Sequence, residues 1–289
     1  MGTLSSAGFS NTLGVEPSRH CADICRKKGF TIENIYFNQK ESLKIEKQYG
    51  KAKAVICRHT LEHTTDPHET LISIRQLLSK DSLLVLEVPD ARGIINDLRI
   101  HELWDEHLYY YTIDNLSFLL QNAGFRIIDK TTLPHRGSMN ILYWVSPVHK
   151  IGNRVLDISF TETDVNLCDS FKERWIHLTN QFMSLLNKCK KPIAMFGASH
   201  PQANFLLYTG AGRYVDFLID DDSFKIGRYL PCPHPILIIS TAQILDRMRH
   251  GTVIRGAFGY ENWMDRVCKH LYLKGIKAVD PYLNTCSLS

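Results

Sequence analysis

The sequence contains no hydrophobic run that approaches the roughly 18 to 20 residues needed to cross a bilayer. Its amino terminus also lacks the charged and then apolar layout of a signal peptide. These two absences argue against a membrane-spanning helix and a secretory leader. We therefore expect a cytoplasmic protein without a membrane partner.

An excess of charge of one sign is also lacking. The chain has 34 Lys and Arg against 30 Asp and Glu, which gives a formal net charge of +4. Its densest basic groups, at 26–28 and 188–191, are typical of helix ends, where cations suit the helix dipole. No basic stripe is present, so we predict no nucleic-acid partner.

The eight cysteines are scattered and include no C-x-x-C pair. Structural zinc sites and disulfide frameworks need paired or regularly spaced cysteines. The cysteine pattern therefore indicates neither, and we predict no metal.

What the chain does have is alternation of strand and helix patterns, with 44% hydrophobic residues to build its cores. The near-continuous apolar run at 83–88 predicts a strand buried on both faces of a parallel sheet. Strands alternating with helices of 10 to 15 residues predict an α/β fold. The other elements predicted in the first half are strands 11–16, 53–57, 125–130 and 139–145, and helices 19–28, 41–49, 67–78 and 113–123.

The order of elements changes after Ser146 and Pro147. We predict a first domain over 1–147, a linker and long helix over 148–190, and a second, smaller α/β domain over 191–289. In that second domain Gly197-Ala198-Ser199 stands between a strand and a helix. This turn is compatible with an anion held on backbone N–H groups, and equally with a tight strand-to-helix connection.

The stretch 104–111 combines one imidazole, two carboxylates and four aromatic rings. A histidine can take or give a proton, a carboxylate can orient a hydroxyl group, and aromatic walls can exclude water. The alternative is an aromatic loop over a core with its charges in solvent. Because neighbours in an extended loop point to opposite sides, at least one of Tyr109, Tyr110 and Tyr111 is expected in the core.

A second polar cluster, 57–63, follows the apolar run 54–56, and Pro89-Asp90 ends the strand at 83–88. Ligands of open α/β sheets bind beyond the carboxyl ends of the strands, so we expect the three loops at one rim. Arg58 and His59 are candidates to line a pocket there, although a polar loop with satisfied hydrogen bonds explains them equally well.

Several motifs in this order resemble the sugar C-methyltransferase family. They are 59–66, Glu87-Val88-Pro89-Asp90, 105–112, His135-Arg136-Gly137-Ser138, 196–199, 215–221 and 227–231, and they span almost the whole chain. The resemblance implies an incomplete class I methyltransferase sheet of Rossmann-like type, followed by the family's smaller Rossmann-like domain. It also implies S-adenosylmethionine as cofactor and a nucleotide-linked keto-deoxysugar as substrate.

The resemblance also implies a role for individual residues. His107 would be the general base next to the sugar ketone, Glu106 would orient the sugar, and His63 would share their pocket. Residues implied to bind the cofactor are Glu16, Arg58 and His59, and those implied to bind the substrate are Trp104, Tyr110 and His135. The chemistry agrees, since a proton next to a ketone is weakly acidic and needs a positioned base.

The chain departs from the family pattern in two ways. Trp104 stands where the family usually has a tyrosine, which removes a hydroxyl donor. Of the family's first strand and glycine loop, only Gly2-Thr3-Leu4 matches, and the missing strand would pair with the strands that contain Val15 and Val55. Two hypotheses follow: a C-methyltransferase, or a non-catalytic relative that keeps a sugar-nucleotide pocket or an assembly role.

Overall fold

The computed structural model describes residues 1–135, 138–148, 162–232 and 234–282, without the side chains of 162–165 and 167. The chain divides into two compact units. Unit 1 comprises Met1–Val88, Tyr111–Thr131 and Ile141–Ile158, and unit 2 comprises Pro89–Tyr110, Thr132–Asn140 and Ser159–Ser289. Among the described residues, no helix combines the length and the apolar character that a membrane crossing requires.

The first half of the chain alternates helices and strands, as predicted. In order these are α1 (Gly2–Ser6), β1 (Leu13–Val15), α2 (Arg19–Lys27), β2 (Thr31–Glu33), α3 (Gln39–Tyr49), β3 (Ala52–Arg58), α4 (Pro67–Leu77), β4 (Leu78–Pro89), α5 (Ala91–Asp97), α6 (Ile113–Asn122), β5 (Phe125–His135) and β6 (Ser138–Pro147). Short 3₁₀ turns at Leu61–His63 and Ile100–Glu102 complete this half.

The helices of unit 1 begin at polar caps that the sequence supplies. Ser18, Asn38 and Asp66 precede α2, α3 and α4, and each side chain accepts a hydrogen bond from a backbone N–H of the first turn. Such caps satisfy amides that have no partner within the helix. Gly29 follows α2 with a φ of 83°, a conformation that favours glycine.

The strands of unit 1 form two separate sheets. β1 pairs only with β2, whereas β3, β4, β6 and β5 form a four-stranded sheet in that order, with β3 and β4 parallel. No pairing joins β1 to β3 among the described residues, which confirms the predicted gap. One edge of β3 is therefore unpaired, and Ile56 on that strand is 49% exposed.

The core of unit 1 lies on β4 and the elements around it. Leu84, Leu86 and Val88 are fully buried, as the apolar run predicts. Tyr111 is also buried, and its hydroxyl group lies 3.4 Å from the carbonyl oxygen of Leu61. Tyr109 is exposed, so the prediction that the tyrosines divide between core and surface is confirmed.

Unit 2 is built around a six-stranded sheet. Its remaining elements are α7 (Glu162–Lys188), β7 (Ile193–Phe196), α8 (His200–Thr209), β8 (Phe217–Ile219), β9 (Tyr229–Pro231), β10 (Pro235–Ile239), α9 (Ile244–Arg247), β11 (Gly251–Ile254), α10 (Glu261–Tyr272) and β12 (Ile276–Val279). The strand order is β12-β11-β7-β8-β10-β9. Counted from β7, the five parallel strands follow the 3-2-1-4-5 order of a Rossmann-like fold, with β9 as an antiparallel edge.

Some elements differ from the sequence prediction. Helix α5 is not predicted, because it has only seven residues and contains Gly93, which weakens a helical pattern. Asp90 nevertheless starts it by accepting a hydrogen bond from the N–H of Arg92 at 3.0 Å. Strand β8 begins at Phe217, and just before it the Asp216 carboxylate accepts a hydrogen bond from the backbone N–H of Ile193 at 2.8 Å.

Candidate functional site

The predicted site residues fall in both units. Glu16, Arg58, His59 and His63 belong to unit 1, and Trp104, Glu106, His107, Tyr110 and His135 belong to unit 2. Of the predicted turn after His135, Arg136 and Gly137 lie outside the described residues. His135 itself ends β5 and is partly exposed.

The aromatic loop, residues 104–110, is closed by its own side chains. The Trp104 N–H donates to the hydroxyl oxygen of Tyr110 at 3.0 Å, and that hydroxyl lies 3.1 Å from the Trp104 carbonyl oxygen. Just before the loop, the carbonyl oxygen of Leu103 accepts a bond from the Asn204 amide at 2.7 Å. Burial raises the pKa of Tyr110, so its hydroxyl stays protonated at neutral pH.

His107 lies among the rings of this loop. Its imidazole stacks on Trp104 with ring centroids 5.6 Å apart, and Tyr110 approaches it edge-on at 6.0 Å. The backbone N–H of His107 also donates to the Trp104 carbonyl oxygen at 3.1 Å. The imidazole is half-buried in an aromatic environment, whereas Glu106 beside it is exposed.

His200, which the sequence analysis does not single out, joins this group. Its ring centroid lies 4.4 Å from that of Trp104, and its Nε2 lies 3.5 Å from a carboxylate oxygen of Asp105. His200 begins α8, and its side chain is only 35% exposed. Its position as the first residue after Gly197-Ala198-Ser199 is the only sequence signal that points to this role.

A buried polar network stands immediately before the aromatic loop. Glu102 forms an ion pair with Arg99 and accepts a hydrogen bond from Ser138 at 3.0 Å. His101 pairs through Nδ1 with the hydroxyl of Tyr282 and stacks on Phe258 at 3.9 Å. Burial lowers the pKa of His101 to about 3, so this imidazole is neutral at physiological pH.

The strand-end cluster of unit 1 consists of Arg58, His59, Glu62, His63 and Glu87. Arg58 ends β3 and forms an ion pair with Glu87 of β4, which is its partner in the parallel register. His59 follows with a φ of 48°, a conformation that is unusual for a residue with a side chain. The structure thus brings three of the predicted residues together with two buried carboxylates that the sequence did not single out.

Within this cluster, Glu62 is 1% exposed and no hydrogen bond reaches its carboxylate oxygens from the described residues. Burial raises its pKa, because a carboxylate away from water is costly. His59 Nδ1 lies 3.7 Å and His63 Nε2 lies 4.0 Å from Glu62 Oε1. Both imidazoles thus lie within ion-pair distance of this carboxylate oxygen.

One residue of the predicted cofactor site, Glu16, has an exposure that suits its predicted role. Glu16 follows β1 with a partly exposed carboxylate, as a contact to ribose hydroxyls requires, although this group also accepts a bond from the Ser18 N–H at 2.8 Å. No glycine loop precedes β1 between a strand and a helix among the described residues, since Gly2 begins α1. Among the described residues, Glu16 fits a contact to the ribose part of S-adenosylmethionine, and no glycine loop before β1 is present to hold the methionine part.

The turn before α8 is filled by a side chain. Both the N–H and the hydroxyl of Ser199 donate to the Gln202 side-chain oxygen, whose amide donates in turn to the Gly256 carbonyl oxygen. Gly197 has a φ of +91°, and a Cβ there would lie 2.6 Å from Gln202. Of the two sequence interpretations, these contacts support the tight strand-to-helix connection.

Two family models match successive parts of the chain. A model described as a methyltransferase domain matches residues 3–130. A second, described as a C-methyltransferase C-terminal domain, matches residues 136–254. The two matches follow the same order as the resemblance seen in the sequence motifs.

One similar curated protein is C-methyltransferase NovU of Streptomyces niveus, 24% identical over 231 residues. The match covers 76% of this chain and 55% of NovU, so the chain spans about half the length of that relative.

Solved structures with local similarity include a SAM-dependent methyltransferase of Anabaena variabilis, 13% identical with a TM-score of 0.40 over 50% of this chain and 72% of that one. Another is an S-adenosylmethionine-dependent methyltransferase of Clostridium acetobutylicum, which is 11% identical with a TM-score of 0.37, over 51% of this chain and 80% of that one. At such TM-scores these likenesses carry no argument.

The consecutive family matches, the incomplete sheet of unit 1 and the Rossmann-like order of unit 2 agree with one another. The chain therefore combines a methyltransferase domain with the C-terminal domain of C-methyltransferases, in the order that its sequence motifs predict.

Proposed function

We propose that this protein acts in the C-methylation of a nucleotide-linked keto-deoxysugar and that His107 is its general base. The observation that carries the proposal is the half-buried imidazole of His107, which stands in an aromatic loop closed by Tyr110 and Trp104. Aromatic faces suit the apolar face of a sugar ring, and an imidazole is a base near neutral pH.

The reaction requires a proton to leave the carbon next to the ketone. His107 takes that proton, and the electron pair of the C–H bond passes into an enolate. Glu106, the residue before His107, has an exposed carboxylate that accepts a hydrogen bond from a sugar hydroxyl. When bound, S-adenosylmethionine supplies the methyl group to the enolate carbon.

Both the substrate class and the cytoplasmic location are proposals that rest on the sequence. The motifs that resemble sugar C-methyltransferases occur in both halves of the chain. The relative NovU is named a C-methyltransferase, which is consistent with a carbon acceptor. The Rossmann-like order of unit 2 supports a nucleotide-linked substrate, because such sheets commonly bind nucleotides beyond the carboxyl ends of their strands.

A second candidate is a non-catalytic relative that binds the sugar nucleotide or serves an assembly role. One observation favours it: β1 and β2 are separate from the sheet of β3 and β4, and the described residues include no glycine loop before β1. A protein with this sheet can retain acid and base groups while it binds the methyl donor poorly.

Deuterium exchange separates these candidates, because proton removal needs no methyl donor. The protein is incubated in D₂O with a nucleotide-linked keto-deoxysugar, and deuterium next to the ketone is followed by NMR. We expect exchange above the uncatalysed rate that His107→Gln reduces by about 100-fold or more. His250→Gln, at an exposed histidine of the same unit, is the matched control and should exchange like the wild type.

Binding of S-adenosylhomocysteine, measured by calorimetry, tests the cofactor side independently. Binding of S-adenosylhomocysteine together with deuterium exchange that depends on His107 supports the C-methyltransferase. Sugar-nucleotide binding without any exchange supports the non-catalytic relative and overturns the assignment of His107.

A further inference from the structure

We propose that His200 of α8 is a positioning residue for His107, and that it acts through the ring of Trp104. The proposal rests on the proposed function and deepens it, because it adds a residue that orients the general base without contacting the substrate. The three residues belong to unit 2, so the contacts that carry the proposal lie within one compact unit.

One face of α8 contacts the start of the aromatic loop. His200, Asn204 and Tyr208 are spaced four residues apart, so their side chains lie on the same face of the helix. The Asn204 amide donates to the carbonyl oxygen of Leu103 at 2.7 Å, and the Tyr208 hydroxyl donates to the same oxygen at 3.4 Å. One turn earlier in the helix, His200 contacts the next residue of the chain, Trp104. Successive turns of α8 therefore hold successive residues where the loop begins.

The ring of Trp104 contacts both imidazoles. Its centroid lies 4.4 Å from that of His200 and 5.6 Å from that of His107. The hydroxyl of Tyr110 holds the backbone of Trp104, but bonds to the backbone leave the two side-chain torsions of the indole undetermined. Those torsions are fixed by packing, and the ring of His200 is the closer of the two imidazoles. Removing that ring opens space into which the indole can turn, away from His107.

The ring of His200, rather than its charge, carries this role. Its Nε2 lies 3.5 Å from a carboxylate oxygen of Asp105, but that carboxylate is 83% exposed. Exposed ion pairs contribute little to stability, because water and salt screen them. A different aromatic ring at position 200 should therefore keep Trp104 in place.

Helix α8 is a firm support for a loop that has little packing of its own. Four of the seven loop residues, 105, 106, 108 and 109, are exposed. By contrast, Phe205 and Leu206 of α8 are fully buried, and the Gln202 amide ties the first turn of the helix to the Gly256 carbonyl oxygen at 2.6 Å. A general base works only within a narrow range of positions, so a loop that bears one needs support from a rigid element.

The test compares His200→Ala and His200→Phe in the exchange of deuterium into a nucleotide-linked keto-deoxysugar. We expect His200→Ala to lower the maximal exchange rate by about tenfold, because a displaced base loses much of its rate. The loss should fall mainly on the maximal rate and less on KM. His200→Phe keeps a ring against Trp104 and should stay within about twofold of the wild type. Leu207→Ala, at an exposed residue of the same helix, is the matched control and should exchange like the wild type.

A second measurement needs no substrate. The ring current of Trp104 shifts the NMR resonances of the His107 ring protons, which are identified by their loss in His107→Gln. These resonances should move in His200→Ala and keep their wild-type positions in His200→Phe and Leu207→Ala. Because the side chain of His200 is 35% exposed, we expect each variant to fold, and thermal melting checks this.

Unchanged His107 resonances in His200→Ala would overturn the proposal. A His200→Phe variant that exchanges as slowly as His200→Ala would also overturn it, because the imidazole nitrogens would then be required. If the wild type shows no exchange, the proposed function fails, whereas the His107 resonances still decide whether His200 positions the base. Failure of the positioning role and failure of the proposed function are therefore distinguishable.

Discussion

Replacing Tyr110 by Phe tests whether the aromatic loop is held by the hydroxyl of Tyr110. That hydroxyl accepts from the Trp104 N–H at 3.0 Å and lies 3.1 Å from the Trp104 carbonyl oxygen. Each hydrogen bond contributes about 0.5 to 1.5 kcal/mol net, and a donor left without a partner costs about 1 to 3 kcal/mol. Because Tyr110 is half-buried, water replaces part of the lost bonding, and we expect about 1 to 2 kcal/mol of lost loop stability.

A free energy of this size changes the local opening equilibrium by a factor of about 5 to 30. Amide hydrogen exchange measures it directly, because the Trp104 amide exchanges only when the loop opens. We expect its protection to fall by that factor in Tyr110→Phe and to stay unchanged in Tyr260→Phe, a control at an exposed tyrosine of the same unit. An unchanged Trp104 exchange rate in Tyr110→Phe would refute the role of the hydroxyl.

Three further predictions concern single residues. His101 has a pKa of about 3 in the folded protein, below its usual 6.5, so its contribution to stability is present above pH 6.5 and is lost as the pH falls towards 3. Urea unfolding should therefore give a lower free energy of unfolding at pH 5 than at pH 7. In His101→Gln the difference between the two pH values should be smaller. Burial raises the pKa of the Cys57 thiol to about 12, so iodoacetamide mapping of the native protein should label the exposed Cys21 and leave Cys57 unmodified. Gly197→Ala should lower the free energy of unfolding by about 1 to 3 kcal/mol, because φ at Gly197 is +91° and the new Cβ would contact Gln202. A thermal melting temperature equal to that of the wild type would contradict this prediction.

The hydrophobic pattern predicts most of the fold, because it reports local burial. The alternating elements of unit 1, the buried run that contains Leu84 and Leu86, and the long helix of unit 2 all follow from it. The gap between β1 and β3 follows from the family resemblance rather than from the hydrophobic pattern. Helix α5 escapes prediction because its start depends on one capping side chain, Asp90, and its short length gives little periodicity.

The candidate site is predicted less completely, because its contacts join distant parts of the sequence. His101 pairs with Tyr282, 181 residues further along, and Asn204 holds Leu103 across 101 residues. The sequence presents His200 only as a residue after a turn and Glu62 only as one acid in a polar loop. Their burial and neighbours, which give them their chemical character, exist only in the folded chain.

The strand-end cluster and the predicted cofactor residue Glu16 lie at the ends of strands in different sheets. Arg58 and Glu87 are register partners in β3 and β4, so the pairing of those two strands alone positions the carboxylate behind His59. β1, which bears Glu16 at its end, belongs to the other sheet. The ion pair of Arg58 and Glu87 is therefore expected to keep its geometry whether or not the cofactor site is complete. Proton exchange at His107, which belongs to the aromatic loop of unit 2, can likewise be intact in a protein that transfers no methyl group, and an assay of methyl transfer alone would miss it.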